Sequence, residues 1–225
     1  MIERIDEARR LAGVDAYGLM GAAADPALDD IAEAAAESAA APMPMITVVG
    51  RERQWFAASV GVDHRETSIA DSVCAHAIRS EETFVVPDLS ADDRFRDMTP
   101  VRGDDGIRFY AGTPLVMKDG VRLGTLCVVD VVARDGLDAD ERRALEALAR
   151  RTVAAIELRR DLREGRPDTR DALVADAARH LAAARAALEL VGCSDLLPHL
   201  EHVVAGVEAL SPGVGAPRDP EVVAA

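Results

Sequence analysis

The sequence predicts an α+β fold in which an antiparallel sheet carries helices packed on one face, followed by a C-terminal helical hairpin. Three observations support this prediction. The sequence contains two pairs of short apolar runs. Within each pair, a polar, turn-forming stretch separates the two runs, which is typical of a β-hairpin. Amphipathic helical patterns precede, separate and follow these pairs. A long polar segment between the two pairs is typical of a loop that covers a site.

The first 24 residues (1–24) are expected to form a short, loosely held helix to about Leu11 and then a linker, because apolar residues at helical spacing give way to several glycines. Asp25 and Pro26 follow as a helix start signal, with a capping carboxylate before a proline in the first turn. The helix that begins here is expected to end before Pro42.

The next apolar runs predict the first hairpin and one edge of the sheet. They are Met45–Val49 and Trp55–Val60, with the polar stretch GRERQ between them. Ser68 followed by Asp71 then forms a capping pattern, which predicts an amphipathic helix to about Arg79.

A further strand ends at Pro87 and leads into the long polar stretch Asp88–Gly106. The second hairpin is predicted from Thr113–Met117 and Leu123–Val129, which flank the turn sequence KDGVR. Because both faces of its second strand are apolar, we expect that strand to lie in the centre of the sheet with cover above and below.

Asp138 and Glu141 form a capping box that begins a long helix ending near Leu162. After a glycine and a proline, residues 163–210 are predicted to form the helical hairpin. Residues 211–225 combine proline, glycine and charge with little apolar surface, so they are expected to be a disordered tail.

The composition disfavours two classes of partner. With 26 Lys and Arg against 40 Asp and Glu, the net charge of −14 opposes binding to nucleic acid or to an anionic membrane. No apolar run approaches the roughly 20 residues of a membrane span, and no secretory signal is visible at the start. We therefore expect a cytoplasmic protein. Its three cysteines, far apart in sequence, are expected to be reduced.

Several segments resemble the bacterial GAF sensor domain in their order and spacing. They are ITVVGRERQWFAASVG, DSVCAHAI, VVPDLSADDRF, IRFYAGTPL, LGTLCVVD and LEALARRTVAAIELR. The resemblance covers about Asp25 to Arg160 and implies a GAF/PAS-like sheet over residues 25–162. It also implies a pocket between the sheet and the segment Asp88–Phe109. GAF domains bind diverse small molecules, so the resemblance implies no particular ligand or cofactor.

The resemblance and the long loop together give eight candidate ligand-binding residues. They are Cys74, Asp88, Arg94, Phe95, Arg108, Phe109, Tyr110 and Cys127. The two arginines suit paired hydrogen bonds to an anionic ligand that the aromatic rings would cover. The alternative is that the arginines form ion pairs with the acidic residues of the same loop.

The cysteines permit two interpretations. Cys74, on the predicted short helix, is either a reactive thiol near the pocket or, as its position on the helical wheel favours, a half-buried residue that fills space. Cys127 lies among Leu and Val, where burial makes a thiol inert. The segment VCAHAI is also similar to part of the pattern of free methionine sulfoxide reductases. The glycine expected after the helix cysteine and the second, loop-borne cysteine of that pattern are missing here.

The histidines do not complete a cofactor or metal site. His64 and His76 are candidate haem ligands, although a single histidine more often caps, hydrogen-bonds or faces water. His199 and His202 have helical i, i+3 spacing, but no nearby cysteine or carboxylate pattern completes a metal-binding set. No metal is predicted.

The function that this pattern favours is a sensory and regulatory module without catalysis, because no nucleophile–base pair, phosphate-binding glycine loop or metal spacing is found. Such a module binds a small molecule or a partner, and its signal passes through the helices to a separate protein. The stripe of residues 145–162 is a candidate homodimer seam. Two alternatives remain open: a thiol-based redox sensor or methionine sulfoxide reductase-like enzyme using Cys74, and a dimerisation scaffold with a collapsed pocket.

Overall fold

The computed structural model describes residues 7–164, 167–190 and 197–208. The helices are α1 Glu7–Tyr17, α2 Pro26–Ser38, α3 Cys74–Ala77, α4 Ala139–Arg163, α5 Pro167–Leu190 and α6 Leu197–Glu208. The strands are β1 Met43–Val49, β2 Arg53–Ser59, β3 Glu66–Ser68, β4 Phe84–Val86, β5 Phe109–Val116 and β6 Arg122–Asp130. These strands form one antiparallel sheet in the order β3-β2-β1-β6-β5-β4. The predicted α+β fold is confirmed.

Strand β6 lies at the centre of the sheet, paired with β1 on one side and β5 on the other. All nine of its residues are buried, which confirms the prediction of a strand covered on both faces. Gly124 permits the close approach of its neighbour, because a Cβ atom at this position would overlap the carbonyl oxygen of Thr47.

The first hairpin is not an edge of the sheet, contrary to the sequence prediction. Strand β1 is paired on both sides, and the short strand β3 pairs with β2 and forms that edge. Three residues are too few to produce a recognisable alternation of apolar and polar side chains, which explains why the pattern missed β3.

One face of the sheet is covered by α1, α2 and α4, whose apolar residues share a core with β1, β5 and β6. The prediction that the first helix is loosely held and ends near Leu11 is wrong. Helix α1 continues through Gly13 to Tyr17, and Val14 and Tyr17 are buried. Gly13 faces the β5–β6 turn, since a Cβ atom there would lie 2.6 Å from the side chain of Val121.

The predicted caps of α2 and α4 are confirmed. The Asp25 carboxylate accepts from the backbone N–H of Ala27 at 3.1 Å at the start of α2. At the start of α4, the Asp138 carboxylate accepts from the Glu141 N–H, and the Glu141 carboxylate accepts from the Asp138 N–H, both at 2.8 Å. This reciprocal pair is a capping box.

The opposite face of the sheet is covered by the segment after β3 and by the loop between β4 and β5, residues 87–108, called here the covering loop. The continuous helix predicted from Ser68 to about Arg79 is wrong. A 3-10 turn, Ile69–Asp71, is followed by a separate single turn of helix, α3.

Ser72 explains this interruption. Its hydroxyl donates to the side-chain oxygen of Gln54 on β2 and accepts from the backbone N–H of Ala75 at 3.0 Å. A serine that bonds to local backbone groups competes with helix continuation and favours a new helix start. The helix is therefore divided at Ser72, and α3 is held against the sheet.

The chain divides into two compact units, one ending at Arg159 and one beginning at Arg160. In the second unit, α5 and α6 contact each other. Gly165, the predicted tail 211–225 and the side chains of His199 and His202 lie outside the described residues. Across the part of the chain that is described, no helix has both the length and the apolar character needed to cross a bilayer.

Candidate functional site

A cavity of about 280 Å³ lies between the sheet and the elements that cover its second face. Its walls come from β1, β2, β5 and β6, from α3 and the segment that precedes it, and from the covering loop. The lining residues are Met43, Met45, Gln54, Phe56, Gly61, Val62, Asp63, His64, Thr67, Asp71, Val73, Cys74, Pro100, Ile107, Tyr110 and Val129.

The lining is mainly apolar, with a few polar groups contributed by β2 and the segment after it. The charged or titratable side chains among these polar groups are Asp63, His64 and Asp71. None of the described residues that line the cavity is Lys or Arg. A site with this lining favours an apolar ligand without negative charge.

Asp71 fastens the covering loop over the cavity. Its carboxylate accepts from the backbone N–H of Thr99 at 2.9 Å and from the hydroxyl of Ser68 at 3.1 Å. The hydrogen bond from Thr99 lowers the pKa of Asp71 below its ordinary value. Phe95, fully buried, anchors the same loop in the core.

The two candidate arginines do not line the cavity. Arg108 donates to the carbonyl oxygens of Val101 at 2.9 Å and Gly103 at 2.5 Å, so its guanidinium fastens one end of the covering loop. Arg94 pairs with the Asp92 carboxylate at 2.6 Å and lies 4.7 Å from the centre of the Phe95 ring. The Arg94 contact is the one expected from the ion-pair alternative, whereas Arg108 bonds to backbone carbonyls of the loop and not to its acidic side chains.

Asp88 and Phe109 are also separated from the cavity. The Asp88 carboxylate accepts from the N–H and hydroxyl of Ser90, at 2.9 and 2.6 Å, and caps the 3-10 turn Leu89–Ala91. These bonds lower the pKa of Asp88. Phe109 begins β5 rather than ending the loop, and its side chain belongs to the helix-covered core, with the Arg134 guanidinium 5.3 Å from its ring centre.

Three of the predicted residues do meet beside the cavity: Cys74 and Tyr110 line it, and Cys127 lies behind Cys74 in β6. The Sγ atoms of Cys74 and Cys127 are 3.9 Å apart, and the Tyr110 hydroxyl donates to Cys74 Sγ at 3.3 Å. Cys74 is only 2% exposed, so the expectation of a half-buried thiol is wrong. The division of the predicted helix at Ser72 turns Cys74 inward, which the wheel of a continuous helix does not represent.

A polar network continues from these residues into the sheet. The Tyr110 hydroxyl is 3.4 Å from the Thr125 hydroxyl, which is 3.1 Å from that of Thr47. Both threonines are fully buried. Single threonines in apolar strands are common and carry no signal of their own, so these two could not be predicted from the sequence.

These contacts set the acid–base behaviour of the two thiols. Burial raises the pKa of Cys74, but hydrogen bonds from Cys127, Thr125, Thr47 and Tyr110 outweigh it and lower that pKa to about 6. The hydrogen bond to Cys74, together with burial, raises the pKa of Cys127 well above its ordinary value. Burial and the nearby Cys74 charge raise the pKa of Tyr110.

The candidate haem ligands are separated from each other. The ring of His76 packs edge-on against Phe95, with centroids 4.9 Å apart, and burial lowers its pKa. His64 lines the cavity and lies 5.4 Å from the Phe56 ring. Among the described residues, no group of three or more His, Cys, Asp or Glu side chains is arranged to hold a metal ion.

Comparison with proteins of known structure gives the fold. The GAF domain of a phosphoenolpyruvate-protein phosphotransferase from Coxiella burnetii is 15% identical, with a TM-score of 0.52, over 71% of this chain and 96% of that one. The corresponding Acinetobacter domain is 16% identical, with a TM-score of 0.50, over 69% and 95% of the two chains.

A curated relative is more similar in sequence. The chain is 42% identical over 151 residues to a cyclic di-GMP phosphodiesterase of Pseudomonas aeruginosa, and the match covers 67% of this chain and 26% of that protein. The chain thus spans about a quarter of the relative's length. The expectation that the chain is not an enzyme is contradicted by this match, because the relative is named as one.

The family is shown by a match over more than half of the chain. The family model of the GAF domain matches residues 3–156, which include the whole sheet and the segments that cover both of its faces. The resemblance inferred from the sequence motifs is confirmed, and a role as a sensory or regulatory module follows from it. The chain belongs to the GAF domain family.

Proposed function

We propose that this chain is a sensory module whose cavity binds a small, largely apolar molecule that is neutral or cationic, and that binding regulates cyclic di-GMP hydrolysis. The observation that carries the proposal is the cavity of about 280 Å³ beneath the covering loop. Its volume lies just below the range typical of sites for small organic ligands, roughly 300 to 1,000 Å³.

The charge of the cavity supports this choice of ligand. Asp63 and Asp71 line the cavity without a Lys or Arg beside them among the described residues of the lining. The arginines that would suit an anion are held elsewhere, Arg108 by loop carbonyls and Arg94 by Asp92. An anionic ligand such as a cyclic nucleotide would meet like charge at the entrance and find no cationic partner inside.

The link to cyclic di-GMP comes from the curated relative. Its name assigns cyclic di-GMP hydrolysis to a protein about four times as long as the region it shares with this chain. A sensory domain that shares 42% identity with part of such a protein is suited to control the same second messenger. The homodimer and the separate signalling protein expected from the sequence stay predictions.

The ligand proposal is tested with the neutral fluorescent dye prodan as the probe. Val62, half-buried, lines the cavity, whereas Val60, 38% exposed, lies two residues earlier and outside its lining. We expect the wild type and Val60→Trp to bind prodan equally, and Val62→Trp to bind it at least about tenfold more weakly. Equal binding by both variants, or no binding by the wild type, would contradict the proposal. Added cyclic di-GMP is expected to leave the dye bound.

Hydrolysis of cyclic di-GMP by the chain itself is a second candidate, favoured by the 42% identity to a named phosphodiesterase. The test is incubation of the purified chain with cyclic di-GMP and a divalent cation, followed by chromatography for the linear dinucleotide. Turnover by the chain alone would support this candidate. If none is found, the regulatory proposal is tested by adding the chain to a phosphodiesterase, with and without the cavity probe.

A further inference from the structure

We propose that Cys74 and Cys127 form an oxidisable pair at the wall of the cavity, in which a hydroperoxide converts the two thiols into a disulfide that links α3 to β6. The pair is assembled only in the folded chain, because 52 residues separate the two cysteines in the sequence. Neither thiol is paired in a disulfide in the structure.

The distance between the two sulfurs is suited to this reaction. The Sγ atoms lie 3.9 Å apart, against about 2.05 Å in a disulfide, so closure requires an approach of about 2 Å. Helix α3 packs closely on the strand, with Cα atoms of the two elements within 8 Å of each other. A single turn of helix flanked by turns adjusts more easily than a strand paired on both sides, so we expect α3 to move.

Cys74 is the residue that a peroxide would reach first. Its side chain lines the cavity, whereas Cys127 lies behind it in the central strand and is fully buried. A hydroperoxide is small enough to enter the cavity. It can therefore reach Cys74 Sγ from the cavity, although little of the residue is exposed to bulk solvent.

The polar surroundings assign the roles of the two thiols. Hydrogen bonds from Cys127 and from the Thr125, Thr47 and Tyr110 hydroxyls lower the pKa of Cys74, which favours its thiolate. The pKa of Cys127 is raised, so it stays a thiol until Cys74 loses its charge. A thiolate is the nucleophile toward peroxides, and a neighbouring thiol resolves the product.

The reaction balances in two steps. The Cys74 thiolate attacks one oxygen of the hydroperoxide ROOH, the O–O bond breaks, and after proton uptake the products are a sulfenic acid on Cys74 and the alcohol ROH. The Cys127 sulfur then attacks the Cys74 sulfur, the S–O bond breaks, and water leaves as the S–S bond forms. The two cysteines lose two electrons in total, which the peroxide accepts. A dithiol reductant reverses the change.

The disulfide would act on the cavity, and this consequence rests on the proposed function. Cys74 belongs to the elements that cover the cavity, and Cys127 belongs to the sheet beneath them. A covalent bond between these residues fixes the distance between cover and sheet. We therefore expect oxidation to change the affinity for a molecule bound in the cavity.

The test is peptide mapping of the full chain by mass spectrometry, before and after treatment with hydrogen peroxide. In the wild type we expect a product lighter by two hydrogens that contains a Cys74–Cys127 cross-linked peptide and reverts with dithiothreitol. The matched control is Cys193→Ser, which removes the cysteine outside the described residues and should cross-link as the wild type does. Cys127→Ser should stop at a Cys74 sulfenic acid that dimedone traps, and Cys74→Ser should yield neither product.

A wild-type chain that stays folded in peroxide without this cross-link would overturn the proposal, as would a cross-link of Cys74 to Cys193 instead. This outcome needs no substitution, so a variant that fails to fold does not obscure it. Prodan binding to the reduced and oxidised wild type tests the consequence separately, with a change of at least about fivefold expected. If reduced protein binds no prodan but still cross-links, the proposed function fails and the oxidisable pair stands.

Discussion

The phenol ring of Tyr110 lies across Gly112, two residues further along β5, so closely that a Cβ atom at Gly112 would overlap the phenolic hydroxyl. Gly112 is also the partner of Cys127 in the pairing of β5 with β6. The missing side chain therefore leaves the space through which the Tyr110 hydroxyl reaches Cys74 Sγ and the Thr125 hydroxyl.

The first prediction is that Gly112→Ala destabilises the chain by about 1 to 3 kcal/mol, the usual cost of overfilling a packed core. The measurement is the free energy of unfolding from urea titration. Tyr110→Phe removes the hydroxyl that the new methyl group would meet first, so Gly112→Ala should cost less in that background. An equal cost in both backgrounds would show that the hydroxyl is not the obstacle.

A second prediction concerns the acidity of Cys74. Because the Tyr110 hydroxyl is one of the donors that lower the pKa of this thiol to about 6, Tyr110→Phe is expected to raise it. The measurement is the ultraviolet absorbance of the thiolate during a pH titration, with Cys193→Ser as the common background. The same titration of Cys74→Ser identifies the signal. An unchanged midpoint in Tyr110→Phe would contradict the prediction.

The same pKa predicts how stability depends on pH. Folding lowers the pKa of Cys74 from its ordinary value of 9.0 to about 6, so the folded state favours the charged thiolate. The stabilisation is then absent below about pH 6, grows between about pH 6 and 9, and is complete above that range. The difference in unfolding free energy between wild type and Cys74→Ser is expected to grow across this range. A difference independent of pH would contradict the assignment.

The elements predicted best from the sequence are those with a local signal. The caps at Asp25 and Asp138 act through atoms two or three residues away, and the doubly apolar pattern of β6 requires burial on both faces. The order and spacing of the motif-like segments predicted the GAF domain family. The sequence predicts too short a helix α1, because glycine has a low intrinsic helix propensity. In the structure, the small size of Gly13 permits the helix to pack on Val121.

The site was predicted less well because its geometry depends on long-range contacts. Phe109 and Tyr110 are adjacent in sequence, but strand alternation places them on opposite faces of the sheet, and only Tyr110 lines the cavity. The guanidinium of Arg108 turns to loop carbonyls that no periodicity identifies. The contact between Cys74 and Cys127 required both the division of the helix at Ser72 and the register of β6.

A third prediction concerns the bond between Asp71 and the covering loop. Asp71→Asn is expected to increase the hydrogen-exchange rate of the Thr99 amide at neutral pH, because a charged acceptor at 2.9 Å becomes a neutral one. Solvent reaches this carboxylate, so we expect a loss of stability below about 1 kcal/mol. Asp63→Asn, which also lines the cavity, is the control. Unchanged exchange at Thr99 would contradict the role of Asp71.

The pH dependence of this bond has the same sign as that of the thiol but lies in a more acidic range. Folding lowers the pKa of Asp71, so its contribution is present above the ordinary pKa and is lost as pH falls through the lowered value. Thr99 exchange in the wild type should therefore approach that of Asp71→Asn only in strongly acidic solution, after correction for the intrinsic rate. If the two exchange rates already converged near neutral pH, the lowered pKa of Asp71 would be contradicted.

The last prediction concerns Glu157 on α4, which is only 5% exposed. One of its carboxylate oxygens accepts both from the Tyr17 hydroxyl of α1 and from the backbone N–H of Lys118 in the β5–β6 turn, each at 2.9 Å. Glu157→Ala removes the acceptor of two donors at once, so it should destabilise the chain by roughly 2 to 4 kcal/mol in urea titration. Glu157→Gln keeps a carbonyl oxygen and should cost less, and Glu33→Ala, on the exposed face of α2, should stay within about 0.5 kcal/mol of the wild type. A cost for Glu157→Ala no larger than that for Glu33→Ala would show that these bonds do not hold α4 to the sheet.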